Sequence, residues 1–284
     1  MNRVKIITNS VSELLPDFAV QFGIDIIPDF IIYGDKSYRQ NIDITLEQFY
    51  NTIDSLEKLP TTSHPSIEEY KDHICKYEDY EAVIVLEVTS KMSSSYDTLC
   101  IAANELNESG FGARVIPYDS YQTTWGLGMM VIEAAKLASE GKSADEILAF
   151  LDDLKENKKI GTCFVFKSLA NARKSGRTGA VKVIAAEMLG IKPIISMRDG
   201  VIKDIKIARG FNAGLDGIVA YYEERAKKGG DVYVAHSSNI EAAEMLKQKL
   251  EKIDPDATIE TKWIGAVMGV FTGTGTVGIA FMER

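Results

Sequence analysis

The chain is poor in the residues that build disulfide frameworks and metal sites. It has three cysteines and three histidines in 284 residues. Cys75, Cys100 and Cys163 are odd in number and far apart, which predicts reduced thiols rather than a disulfide framework or a zinc site. No two histidines have the spacing of a ligand pair on one helix face. We therefore expect no metal and no other cofactor.

Long apolar runs and an excess of positive charge are also missing. No window approaches the roughly eighteen consecutive apolar residues of a membrane-spanning helix. Residues 1–3 lead straight into an apolar strand, where a secretory signal would have an apolar segment. The net charge of −9 argues against a nucleic-acid partner, which would need a basic face. These absences predict a cytoplasmic protein without a membrane span.

Strands and helices alternate in the first part of the chain. Apolar strands at residues 4–8, 82–86 and 114–118 are separated by helical stretches, a pattern typical of a parallel sheet covered on both faces. After residue 158 the pattern changes, and strands at 191–197 and 201–207 flank a hairpin signal at residues 198–200. The fold class is therefore α/β with two domains. We expect an N-terminal parallel-sheet domain over 1–158 and a C-terminal mixed α/β domain over 159–284.

Two short hydroxyl-rich segments each lead into a predicted helix. Residues 61–66 (TTSHPS) precede a helix over 67–77, and residues 88–96 (VTSKMSSSY) follow the strand 82–86 and open a helix over 96–106. A helix N-terminus offers unpaired N–H groups and a partial positive charge. Surrounded by hydroxyls, it suits an anionic group. The alternative is that Ser66 and Ser95 are ordinary helix N-caps.

Two other patterns suggest functions that their surroundings argue against. Residues 273–278 (GTGTVG) have the glycine spacing of a dinucleotide site, but the six residues after them read as a strand, not a helix. We interpret these glycines as a close backbone approach. His236 could act as the base of a serine hydrolase, but the chain has no Gly-x-Ser-x-Gly elbow. A buried or capping His236 is the favoured interpretation.

Several short motifs follow one another in the order found in a known family. The chain resembles the DegV family of bacterial fatty-acid-binding proteins, which includes the binding subunits of fatty acid kinases. The matching segments are 8–10 (TNS, family Asp-Ser), 62–66 (TSHPS, family Thr-Ser-Gln-Pro-Ser), 92–96 (MSSSY, family Leu-Ser-Gly-Thr-Tyr), 119–120 (DS) with Gly126 and Gly128, 174–177 (KSGR, family Lys-Gly-Gly-Arg), 190–194 (GIKPI, family Asn-Ile-Lys-Pro-Ile) and Arg209.

The resemblance implies a non-catalytic carrier of a long-chain fatty acid. The tail would occupy an apolar tunnel in the C-terminal domain, and hydroxyls and backbone N–H groups would hold the carboxylate near the domain interface. A partner kinase would phosphorylate the bound acid. The implied ligand-binding residues are Thr62, Ser63, Ser93, Ser94, Phe271, Thr272 and Gly273, and Arg209 and Arg177 are candidates for partner docking. Tunnel candidates are Phe164, Phe166, Leu169, Ile184, Met188, Leu189, Ile194 and Met268.

The chain departs from the family pattern near its end. The family has Gly-Thr-His-Thr-Gly-Pro-Gly where residues 269–275 read GVFTGTG, so Phe271 replaces a histidine that helps to bind the lipid carboxylate. We expect the glycine-rich stretch 269–278 to close over the head group. Two alternatives stay open: an acyl-group hydrolase or transferase that uses Ser93, and a sensor for another anionic amphiphile.

Overall fold

The first sheet is parallel, has four strands and lies in the N-terminal part of the chain. The computed structural model describes residues 3–175 and 190–284. The strands are β1 (Val4–Asn9), β2 (Asp25–Ile27), β6 (Ala82–Glu87) and β7 (Arg114–Asp119), in the order β2-β1-β6-β7. Every residue of β6 is buried, as expected for a central strand covered on both faces.

Short helices and a small antiparallel sheet surround this parallel sheet. The helices are α1 (Pro16–Gln21), α2 (Leu46–Ile53), α3 (Ile67–Ile74) and α4 (Ser95–Glu108), and α3 and α4 pack on one face of the sheet. The small sheet has the order β4-β3-β5 and consists of β3 (Phe30–Tyr33), β4 (Lys36–Arg39) and β5 (Thr61–Ser63). It brings the first hydroxyl-rich segment next to the parallel sheet.

The helix α5 (Thr124–Ser139) lies between the two larger sheets. It contacts β1 on one side and β8 (Ile160–Val165) and β13 (Val277–Met282) on the other. Residues 124–132 are all buried, which explains why this helix is apolar around its whole circumference. The helix α6 (Ala144–Glu156) packs on α5 and begins at a Ser143 capping box.

The second large sheet is mixed and has six strands. Besides β8 and β13 it contains β9 (Ile191–Arg198), β10 (Val201–Arg209), β11 (Asp231–His236) and β12 (Thr258–Trp263). Among the described residues the order is β10-β9-β8-β13-β11-β12, and only β11 and β12 are paired in parallel. The remaining helices are α7 (Ala170–Lys174), α8 (Phe211–Arg225), α9 (Ile240–Ile253) and α10 (Ala266–Thr272). Asp199 and Gly200 both have positive φ and form the predicted two-residue hairpin.

The α/β fold class is confirmed, and the differences from the sequence prediction are local. The sequence of residues 11–22 reads as one helix, but they do not form one, because Glu13 adopts a φ of +65° and Pro16 begins a separate short helix. The start of the first hydroxyl-rich segment is strand β5. Part of the glycine-rich stretch 269–278 is helix α10. Residues 180–189, whose apolar sequence predicts a short helix, lie outside the described residues, and the boundary at residue 158 stays a prediction.

Candidate functional site

A cavity of about 390 Å³ opens between the hydroxyl-rich segments, the inner face of the second sheet and α10. Hydroxyl, imidazole and carboxyl groups line it together with apolar side chains. The polar lining residues include Asp29, Thr62, Ser63, His64, Ser93, Ser94, Thr123, Thr124, Ser175, Ser196, Thr272 and Thr276. The apolar lining residues include Val11, Val88, Met92, Phe164, Phe166, Leu169, Ile195, Met197, Ile202, Ile264, Val267, Met268 and Phe271.

The two hydroxyl-rich segments meet at this cavity although they lie thirty residues apart in sequence. Thr62 is held by β5, which pairs with β3, and Ser93 and Ser94 precede the first turn of α4. The Ser93 hydroxyl accepts a hydrogen bond from the Ser95 N–H over 3.2 Å. A serine hydroxyl that accepts in this way keeps its proton for donation. Ser93 can therefore donate to an anionic oxygen in the cavity.

The helix caps only partly match the expectation. Ser66 is the N-cap of α3 and forms a capping box with Glu69. The N-cap of α4 is Ser94 rather than Ser95, and its side chain makes no capping bond. Ser95 is instead the first residue of the helix and is buried. The hydroxyl of Ser94 is thus available for contacts other than capping.

That hydroxyl pairs with His64, which the sequence reasoning did not single out. The Nε2 atom of His64 lies 3.1 Å from the Ser94 hydroxyl, and its Nδ1 atom lies 2.9 Å from the Pro65 carbonyl oxygen. A carbonyl only accepts, so Nδ1 donates to Pro65, and the Ser94 hydroxyl is the partner of Nε2. The sequence offered one indication of this residue: the family turn that matches residues 62–66 has glutamine where this chain has His64.

Helix α10 forms another wall of the cavity and is tied to the N-terminal part of the chain. Its N–H groups at Gly265 and Val267 donate to the side chains of Glu13 and Gln40, and the latter bond is 2.6 Å long. Phe271 and Thr272 both line the cavity from this helix. Gly273 is its C-cap, with a φ of +65°, and packs near Asn171 outside the lining set.

The residues named for an apolar tunnel divide between the cavity and the core, and one of them, Ile194, lies on the opposite face of the second sheet. Phe164, Phe166, Leu169 and Met268 line the cavity, whereas Ile194 belongs to the core on the other face and packs against Gly217 of α8. Its neighbour Ile195 lines the cavity instead, because successive side chains of a strand point to opposite faces. The predicted tunnel residues Ile184, Met188 and Leu189 lie outside the described residues.

Buried carboxyl groups beside the cavity are a second feature that the sequence reasoning missed. Asp29 lines the cavity, is 3% exposed and accepts a 2.9 Å hydrogen bond from the Ser10 hydroxyl. Burial raises its pKa to about 7. Burial, reinforced by the charge of Asp29, also raises the pKa of the nearby Glu87 to about 8. In the sequence, Asp29 could have been noticed as an acidic residue between the apolar residues of β2 and those of β3.

The other sequence candidates lie away from this cavity. His236 is buried against Trp263 and accepts a 3.3 Å hydrogen bond from the Asn239 N–H, which agrees with a structural role. Burial lowers its pKa to about 4. Arg209 is exposed at the end of β10, an edge strand, whereas Arg177 lies outside the described residues.

Within residues 3–175 and 190–284, no group of three His, Cys, Asp or Glu side chains is placed to hold a metal ion. Over the same ranges, no helix is both long and apolar enough to cross a membrane.

Comparison with known proteins places the chain in a family. The family model described as "Uncharacterised protein, DegV family" matches residues 3–284, so the chain belongs to the DegV family. A DegV domain-containing protein of Clostridium perfringens is 31% identical over 285 residues, which cover 99% of each chain.

Two solved structures share the fold over almost their whole length. A stearic acid-binding protein from Eubacterium ventriosum has a TM-score of 0.86 and 25% identity, over 100% of this chain and 98% of that one. The Fak B3 protein of the Streptococcus pneumoniae fatty acid kinase, loaded with linoleic acid, has a TM-score of 0.86 and 18% identity, over 99% and 100% of the two chains.

Proposed function

We propose that the protein binds a long-chain fatty acid in the cavity. The observation that carries the proposal is the division of the lining into hydroxyl groups at the start of α4 and β5 and apolar side chains from the second sheet and α10. The volume of about 390 Å³ falls within the range of roughly 300–1,000 Å³ that is usual for small-molecule pockets. The stearic acid-binding and linoleic acid-loaded relatives support this choice of ligand.

The energetics of such a ligand fit the two parts of the cavity. A tail of about fifteen methylenes gains up to roughly 12 kcal/mol from burial, at about 0.8 kcal/mol per methylene. Association and ordering of the chain remove several kcal/mol of this gain. A carboxylate buried without partners would cancel much of the rest. Donors at Thr62, Ser93 and the N-terminal end of α4 offset that cost.

We further propose that the protein itself is a non-catalytic carrier in the cytoplasm that presents the bound acid to a kinase. The Fak B3 relative, named for a fatty acid kinase, supports this part. The cysteines Cys75, Cys100 and Cys163 are all free thiols, in agreement with a reducing compartment. The parallel-sheet part over 1–158 would supply the head-group contacts, and the part over 159–284 would hold the tail.

One observation favours a second candidate, hydrolysis of acyl esters. The 3.1 Å contact between His64 and Ser94 has the spacing of a base and a nucleophile. However, the other ring nitrogen of His64 faces a backbone carbonyl rather than a carboxylate, so the imidazolium would lack the partner of a catalytic triad. Turnover of a p-nitrophenyl ester that is lost in Ser94→Ala but kept in Ser93→Ala would establish this activity.

Removal of single hydroxyls tests the carrier proposal. Each charge-assisted hydrogen bond contributes about 1.5–3 kcal/mol, so Thr62→Val and Ser93→Ala should each weaken fatty-acid affinity about tenfold or more. Thr61→Val is the matched control, because Thr61 lies on the same strand but is exposed and outside the lining. Titration calorimetry gives the affinities, and circular dichroism checks the fold. Equal affinities in all three variants would place the carboxylate elsewhere.

A further inference from the structure

Asp29 occupies an unusual position for a carboxyl group. It immediately precedes β3, whose first residue Phe30 pairs with Ser63 of β5, so Asp29 and His64 are the next residues of the two segments beyond the last pair of this ladder. Both residues line the cavity, together with Thr62. Asp29 is thus a buried carboxyl group in the lining of the cavity in which the proposed function puts the ligand.

The ionisable groups that act on Asp29 or are acted on by it are mostly acidic, whereas the groups that donate hydrogen bonds to it are the Ser10 hydroxyl and backbone N–H groups, including those of Ser10 and Val11. Glu87 and Tyr70 form a 2.7 Å hydrogen bond to each other, and the charge of Asp29 acts on both groups and on Glu13. His64 is the basic group at this end of the cavity, and no lysine or arginine is among the described residues that line it. An ionised Asp29 would therefore repel an anionic ligand, and no lysine or arginine among the described lining residues would offset its charge.

We propose that Asp29 is a head-group residue that binds in its protonated form and donates a hydrogen bond to the ligand carboxylate. This inference rests on the proposed fatty-acid function. The two carboxyl groups would share one proton, because like charges at hydrogen-bond distance cannot both ionise. The Ser10 hydroxyl, which donates to Oδ2 of Asp29, holds the carboxyl in place.

Sharing a proton couples fatty-acid binding to pH. The pKa of Asp29 is about 7 before the ligand binds, and a second carboxylate beside it raises that pKa further. Above about pH 7, where Asp29 is ionised in the free protein, binding therefore takes up one proton from the solvent. That proton bonds to an oxygen of one carboxyl group and is hydrogen-bonded to the other, and no other covalent bond forms or breaks. Affinity should fall above about pH 7, by at most tenfold per pH unit.

The test compares the affinity of delipidated protein for oleic acid from about pH 6 to about pH 8.5. The wild type should lose about tenfold to thirtyfold in affinity over this range. Asp29→Asn keeps the shape and can donate from its amide, so it should bind more tightly than the wild type at the high end and lose the dependence above pH 7. The ligand's own titration is the same in both proteins and cancels.

His64→Gln is the matched control, because a histidine also changes its charge between about pH 5 and pH 8. This variant should keep the fall in affinity above pH 7. If the fall disappears in His64→Gln and persists in Asp29→Asn, the titrating group is the imidazole and the inference is wrong.

A measurement on the wild type alone guards against an Asp29→Asn protein that does not fold. Calorimetry in two buffers of different ionisation enthalpy counts protons, and it should show uptake of nearly one proton per oleate at about pH 8. Binding without proton uptake would overturn the role of Asp29. Absence of binding to any C14–C18 acid at every pH would instead overturn the proposed function itself.

Discussion

At the scale of residues, two ring side chains line the cavity in which we propose that the head group lies. His64 and Phe271 line the same cavity, from the segment after β5 and from α10. The DegV pattern has glutamine where this chain has His64, and histidine where this chain has Phe271. This chain therefore has an imidazole on the wall that follows β5 and none at the matching position of α10. An imidazole can donate to a carboxylate, whereas a phenyl ring cannot.

A reciprocal exchange tests this pair. His64→Gln should weaken fatty-acid affinity severalfold at both pH values, because it removes the ring that the Pro65 carbonyl orients and that holds the Ser94 hydroxyl in place. Phe271→His alone should tighten binding, most clearly below about pH 6.5, where a histidine becomes cationic. The double variant should recover most of the affinity that His64→Gln loses. Affinities of the four proteins for one fatty acid, measured at about pH 6 and about pH 8, provide the comparison.

If Phe271→His neither tightens binding nor changes its pH dependence, position 271 does not face the head group.

The residues that sequence reasoning found and those it missed differ in one respect. Thr62 and Ser93 lie in segments rich in hydroxyls, so local composition and the family motifs both drew attention to them. His64 and Asp29 are single residues whose importance depends on strand pairing between β3 and β5. Nothing in the sequence near Asp29 shows that it lines the same cavity as His64, because that arrangement forms only in the folded chain.

At the scale of elements, α10 decides whether the cavity keeps its shape. The carboxyl of Glu13 and the amide of Gln40 accept from its first N–H groups, so its N-terminus is capped by side chains more than two hundred residues earlier. Burial is the main cause that raises the pKa of Glu13. Gln40 also donates to the Ser10 carbonyl over 2.9 Å, which links α10 to the turn that holds Asp29.

Truncation of Gln40 should therefore destabilise the protein strongly. Gln40→Ala leaves the Val267 N–H and the Ser10 carbonyl buried without this partner, at a cost of about 1–3 kcal/mol each. Gln48→Ala is the matched control, because Gln48 is exposed in the capping box of α2 and should cost about 1 kcal/mol. Urea unfolding measures the loss of unfolding free energy in both variants. Equal losses would show that the buried Gln40 side chain stabilises the protein no more than the exposed Gln48 side chain does.

Helices and strands were predicted accurately where apolar periodicity is strong. The prediction failed where strand pairing or distant helix caps determine the local structure. The buried strands and α5 follow from composition. The tunnel prediction for Ile194 was wrong, since a run such as Ile194 and Ile195 does not show which side chain faces which layer. Helix α10 was not predicted, because Gly269 in its middle disfavours a helix and the distant caps from Glu13 and Gln40 are not visible in its own sequence.

At the scale of the whole molecule, an acidic protein presents a basic edge. The net charge is −9, yet the edge strand β10 exposes Lys203, Lys206 and Arg209. Such an edge can dock an acidic partner surface.

Arg209→Ala should leave the lipid content intact and reduce phosphorylation of the bound acid by a fatty acid kinase. Lys228→Ala, another exposed cation, serves as the control. Loss of bound lipid from the Arg209 variant would make Arg209 part of the cavity instead.

The most direct test of the central claim is the mass of the protein as purified from a bacterial host. Native mass spectrometry should show an excess equal to one long-chain fatty acid, and solvent extraction should release that acid and leave the mass of the bare chain. Delipidated protein should take up a C14–C18 acid in a one-to-one ratio. Identical masses before and after extraction, with no uptake of any such acid, would contradict the account.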